Sequence, residues 1–104
     1  MKITAAKGTR DIVPPEVEVW QRVEACAHRL FALYGVREIR TPIFESTELF
    51  SKSTGSDTDI VIKEMYTFPD RSDRSITLRP EGTPGVVRAA IENSLLRRGE
   101  IDRF

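Results

Sequence analysis

The 104-residue sequence contains one cysteine, one histidine and no net charge. The lone cysteine, Cys26, cannot close an intramolecular disulfide, and in its helical surroundings it reads as a buried, space-filling thiol. The lone histidine, His28, leaves little from which to build a histidine-based triad. Its place between the helix-face residues Ala27 and Leu30 gives it a structural role, partly buried or at the surface. Sixteen basic and sixteen acidic side chains cancel, so no protein-wide positive field collects nucleic-acid phosphates by counterion release. If the protein handles RNA, its main grip lies elsewhere. There is no apolar run of signal-peptide or membrane-spanning length, which with the single thiol points to a cytoplasmic protein with no membrane partner. A phosphate-cradling glycine loop, a metal-ligand spacing, internal repeats and low-complexity tracts are also missing.

What is present is the composition of an ordinary globular domain, 39% hydrophobic and 31% charged. The length allows at most one domain, and a body of this size hides roughly two-thirds of its unfolded surface, a thin margin for a core. The segment from Lys7 to Pro15 places a glycine and a double proline around two apolar residues and reads as an ordered loop. From Glu16 to Tyr34, apolar residues at Val19, Trp20, Val23, Ala27, Leu30, Phe31 and Tyr34 share one helical face. Glu16 and Glu18 suit the positive end of that helix, and Gly35 supplies its stop.

Val36 to Phe44 is β-branched and partly alternating. Pro42 within it cannot donate a ladder hydrogen bond, which predicts an edge strand or a bulge. A short helix is predicted over Thr47 to Ser53, ending near Gly55. Met65–Phe68 and Ser75–Arg79 read as strands joined through the turn-forming stretch Pro69 to Arg74, a β-hairpin. Thr83-Pro84 then reads as an N-cap followed by proline in the first helical position, with Val86, Val87, Ala90, Ile91 and Leu95 on the buried face. The order helix, strand, helix, hairpin, helix defines an α+β fold class. Ile101 to Phe104 has the look of an element beginning, which suggests truncation.

The most unusual local sequence is Leu78-Arg79-Pro80-Glu81-Gly82-Thr83, where a strand stops at proline and passes into a helix through a carboxylate, a glycine and a hydroxyl. Gly82 permits close backbone approach, the N–H groups at a helix start are polarised, and Glu81 can pair with an ammonium group. The plainer alternative is that Glu81 and Thr83 cap the helix. Tyr66 is a candidate for the same pocket or for core packing, and Arg79 for a substrate contact or a structural ion pair. Arg71 and Arg74, like Arg97 and Arg98, are expected to face solvent, with RNA contact as the alternative.

Four blocks, in order, resemble signatures of the histidyl-tRNA synthetase family. They are Lys7–Ile12; Tyr34-Gly35 with Glu38–Glu45; Thr58–Val61 with Lys63–Phe68; and Leu78–Thr83. The resemblance implies a class II aminoacyl-tRNA synthetase-like antiparallel sheet with flanking helices, incomplete in this chain. Residues 1–104 would then be the N-terminal portion of the catalytic domain, holding motif 1 and the amino-acid-binding loop and lacking motifs 2 and 3 and the anticodon-binding domain. It further implies that the helix from Glu16 and the strand through Pro42 form motif 1, whose family role is the homodimer interface. Glu81, Gly82 and Thr83 would form the loop that binds the α-ammonium of histidine.

The family's partners are histidine, ATP with Mg2+, and tRNA(His). The arginines that clamp the phosphate belong to motifs 2 and 3, so the resemblance places no catalytic residue, ATP ligand or metal ligand in this chain and leaves the isolated chain with little or no activity. Two other readings share the fold: a histidine-sensing paralogue like the regulatory subunit of ATP phosphoribosyltransferase, and a non-catalytic dimerisation module.

Overall fold

The computed structural model describes residues 1–53 and 64–96, and the chain divides into two compact units, with the boundary after Arg37. The Thr58–Val61 block, Lys63, Arg97, Arg98 and the terminal Ile101 to Phe104 lie outside the described residues.

In the first unit, Gly8 turns the chain at φ 88°, letting the Thr9 amide reach the Ala6 carbonyl at 3.0 Å. Arg10 then grips Glu16 with two hydrogen bonds of 2.8 Å. This contact holds the Glu16 carboxyl below its ordinary range and raises the guanidinium's affinity for its proton. Helix α1 runs over Glu16–Leu33, with Pro15 before it and no side-chain cap. It ends as the sequence predicts: Gly35 takes φ 68°, its N–H bonds Ala32 O at 3.1 Å, and the Val36 N–H bonds Phe31 O at 2.8 Å. Those two bonds make a Schellman ending, which satisfies the last carbonyls.

No residue of α1 is buried. Its apolar face is formed as expected but open, with Val23 58% exposed and Phe31 50% exposed. The space-filling thiol expected at Cys26 is therefore corrected, because Cys26 is exposed on a helix that nothing in its own unit covers.

The second unit is a small sheet backed by two helices. Strand β1 (Phe44–Ser46) leads directly into α2 (Thr47–Ser53), strands β2 (Thr67–Pro69) and β3 (Ser75–Leu78) form the predicted hairpin, and α3 covers Thr83–Glu92. The strand order is β1-β3-β2, with both pairings antiparallel. The strand expected from Val36 to Phe44 is displaced: β1 starts at Phe44, beyond the point where Pro42 would have cost a ladder bond.

Glu45, Thr77 and Thr67 lie directly opposite one another across the sheet, so their side chains share one face. Helices α2 and α3 cover that face, and the core there is small: Phe50 is 1% exposed and Thr77 fully buried, beside Ala89 and Ala90. Phe44, Phe68 and Leu78 occupy the other face and remain exposed, the two rings meeting edge to face at 6.5 Å.

Two details of α3 differ from the sequence reading. Gly82, not Thr83, occupies the N-cap position, which moves Pro84 one place along. The buried face consists of Pro84, Gly85, Ala89 and Ala90, while Val87 and Ile91 are exposed. Small residues sit where α3 comes closest to the segment from Thr41 to Glu45, and the bulkier Val87 and Ile91 lie outside. Among the described residues no helix is long and apolar enough to cross a membrane.

Candidate functional site

The β3–α3 junction places Glu81 and Thr83 on one groove, with a volume of about 690 Å³, together with Leu49, Pro84, Val87 and Arg88. The capping alternative fails here, since among the described residues no side chain hydrogen-bonds to the start of α3. The Glu81 carboxylate makes no hydrogen bond or ion pair among the described residues. Gly82 has φ −93°, an ordinary value, and an added Cβ would meet nothing within 4 Å. Nothing in the described chain itself therefore requires glycine at that position.

Both flanks of this loop are tied to the segment from Thr41 to Glu45. On the strand side, Arg79 Nη1 donates to the Thr41 carbonyl at 3.3 Å and to its hydroxyl at 3.2 Å, while the Arg79 amide donates to Ile43 O at 2.9 Å. On the helix side, Arg88 donates from Nε and Nη2 to the two Glu45 oxygens at 2.7 and 3.0 Å. The Glu45 side chain is only 6% exposed, and this contact raises the guanidinium's hold on its proton. Gly85 packs on the same segment: a Cβ there would lie 3.5 Å from Thr41 Oγ1 and 3.6 Å from Glu45 Oε1.

The structure brings Glu81 and Thr83 together, with Gly82 between them. It places Tyr66 and Arg79 in a different cavity, of about 480 Å³, beside Ile43, Met65, Leu78 and Pro80. Tyr66 is 76% exposed, which rules out core packing among the described residues, and Arg79 bonds Thr41 instead of forming the structural ion pair considered for it. Pro42 is exposed and precedes β1. His28 is also exposed, and Arg74 pairs with Asp70 at 2.7 Å. Glu45 and Arg88 do not stand out from the sequence as site residues. The available signal is a single arginine set within Val86-Val87-Arg88-Ala89-Ala90, where a buried partner is its natural complement.

The antiparallel sheet backed by helices is similar to that of a solved synthetase. The S. aureus histidyl-tRNA synthetase in its apo form superposes with a TM-score of 0.79 at 44% identity, over 96% of this chain and 23% of that one. The family model described as histidyl-tRNA synthetase matches residues 8–104, and the chain belongs to that family. A histidine–tRNA ligase from Solibacter usitatus is 56% identical over 98% of this chain. A Bacillus halodurans protein, described as an ATP phosphoribosyltransferase regulatory subunit/histidyl-tRNA synthetase, shares the fold at a TM-score of 0.70 with 21% identity. The chain spans about a quarter of the length of the ligase and structural relatives it matches.

Proposed function

We propose that this chain is the N-terminal part of the catalytic domain of a histidine–tRNA ligase, and that Glu81, Gly82 and Thr83 are its amino-acid loop. The observation that carries the reading is a Glu81 carboxylate and a helix start that, among the described residues, have no side-chain partner, in a groove shared with Thr83. A carboxylate and a hydroxyl there accept hydrogen bonds from the α-ammonium of histidine, and the open space at Gly82 lets the ligand lie against the backbone. With the amino group fixed, the histidine carboxylate is free to attack the α-phosphate of ATP, giving histidyl-adenylate and pyrophosphate. The histidyl group then passes to the 3′ end of tRNA(His).

Motifs 2 and 3 supply the phosphate-clamping arginines outside these residues, so the segment binds and orients and does not itself stabilise the transferring charge. Among the described residues no cluster of three histidine, cysteine or acidic side chains converges to hold a metal, and no step through Mg2+ is assigned to this segment. In the same reading the working enzyme is a cytoplasmic homodimer, with α1 and the segment through Pro42 as motif 1. The 44% identity to the S. aureus synthetase, against 21% to the B. halodurans protein, supports the ligase over the regulatory paralogue.

A charge-assisted contact to the ammonium is worth about 1.5–3 kcal/mol, so Glu81→Gln is expected to raise the histidine KM about ten- to a hundredfold. The ATP KM should change far less. Histidine-dependent ATP–pyrophosphate exchange by the full-length protein measures both, and an unchanged histidine KM would remove Glu81 from the site.

A further inference from the structure

We infer that Glu45 is a positioning residue for this site: it holds the Arg88 guanidinium off Glu81, so that the Glu81 carboxylate stays free for a primary ammonium ligand. The inference rests on the reading of Glu81 as the ammonium acceptor.

Arg88 and Glu81 line the same groove. Helical side chains favour rotamers that lean toward the N-terminus, and Arg88 stands one turn beyond Pro84, so a guanidinium released from its partners would be drawn toward the N-terminal end of α3, where Glu81 and Thr83 sit. An unengaged guanidinium in such a groove pairs with the nearest free carboxylate. It would then occupy the position that a substrate ammonium requires.

The structure prevents this by occupying Arg88 elsewhere. Its Nε and Nη2 are taken by Glu45, and its Nη1 by Glu92 Oε2 at 2.6 Å. The two acids are not equivalent. Glu92 is 67% exposed and sits one turn along the same helix, where an ion pair holds its partner weakly. Glu45 is on a strand, its side chain 6% exposed, with Gly85 leaving room for its carboxylate against α3. Glu45 is therefore the acid that fixes the direction of Arg88, and Glu81 is left unpaired among the described residues.

The test is ATP–pyrophosphate exchange by the full-length protein as E45Q, E45Q/R88Q and E81Q, with histidine and ATP varied separately. E45Q is expected to raise the histidine KM about tenfold with the ATP KM within about twofold, and E45Q/R88Q to return it to within about threefold of wild type. That rescue is the outcome a purely structural pair would not give. The inference is overturned if the double variant is as impaired as E45Q, or if E45Q leaves the histidine KM unchanged. Where E45Q is too unstable to assay, E45Q/R88Q is compared with E45Q/R88K: the variant that keeps a released cation should have the higher histidine KM, and equal values overturn the inference. E81Q separates the two levels. If E81Q is silent the ammonium reading itself falls, whereas an effect of E81Q without one from E45Q removes only the role given to Glu45.

Discussion

The Thr77 hydroxyl, wholly without exposed surface, lies 2.8 Å from the Thr47 hydroxyl. It also meets Thr67 Oγ1 at 2.9 Å, and Thr47 continues to Ser75 at 2.7 Å, so one hydrogen-bonded chain of hydroxyls joins the start of α2 to β2 and β3. Thr77→Val keeps the shape and removes the central link. With two hydrogen bonds lost, one to the half-buried Thr47 and one to the exposed Thr67, the expected cost is about 1–2 kcal/mol. Urea unfolding should show a lower midpoint with an unchanged slope, and a midpoint equal to wild type would mean that water replaces the hydroxyl at no cost.

The hairpin turn depends on a charge. Asp70 Oδ1 accepts from the Ser72 and Arg74 amides at 2.8 and 2.9 Å, and Oδ2 accepts from Arg74 Nε at 2.7 Å. The Arg74 amide first, and then the Ser72 amide and the Arg74 side chain, hold the Asp70 carboxyl below its ordinary range despite the opposing effect of desolvation. A carboxyl whose folded pKa is depressed stabilises the fold above its unfolded value of about 3.9, and the contribution disappears as pH falls through the lower folded value. Asp70→Asn should therefore be less stable than wild type at pH 7, with the difference closing in acid. Thermal melts from pH 7 to pH 2 measure it, and a difference that persists undiminished at pH 2 would place the effect in shape, not charge.

In the same turn Asp73 sits at φ 59°, after a turn closed by its own amide on Asp70 O at 3.1 Å. This is the left-handed position of a three-residue hairpin loop, where glycine carries no steric penalty. Asp73→Gly should stabilise the protein by about 0.5–1 kcal/mol, the relief of the left-handed cost less the added freedom of the unfolded chain. A lower melting temperature for the variant would show that the Asp73 side chain contributes more than its backbone costs.

What could be read from the sequence follows from the range of the forces involved. The ending of α1 at Gly35, the extent of α2 and the hairpin are set by local rules, glycine at a left-handed position and turn residues between β-branched runs, and the sequence displays them. The start of β1 is less local. Val36 to Phe44 alternates like a strand, yet the paired strand runs over Phe44 to Ser46, where β3 lies opposite. The inner face of α3 differs from the periodic expectation for a related reason. Apolar periodicity puts Val87 and Ile91 inside, but the face turned inward carries Gly85, Ala89 and Ala90, and the Glu45 that Arg88 binds lies 43 residues away in sequence. The strand–helix junction that carries Glu81 and Thr83 is legible as a sequence pattern, and the family resemblance makes it a candidate loop; the separation of Tyr66 and Arg79 from it depends on the fold of the sheet.

The open face of α1 provides the last prediction. Val19, Trp20, Val23, Leu30, Phe31 and Tyr34 are 47–65% exposed on one side of an 18-residue helix in which nothing is buried. In the proposed homodimer this stripe belongs to motif 1 and is covered by the second copy. Covering a side chain such as Phe31 removes apolar area worth about 1.5–3 kcal/mol, and an interface on a two-fold axis counts each substitution in both subunits. Phe31→Glu should then weaken dimerisation of the full-length protein by about a hundredfold or more. Sedimentation velocity across a concentration series measures the shift. A dimer of unchanged affinity would mean that the stripe faces another part of its own chain, and the assignment of α1 to the subunit interface would have to be abandoned.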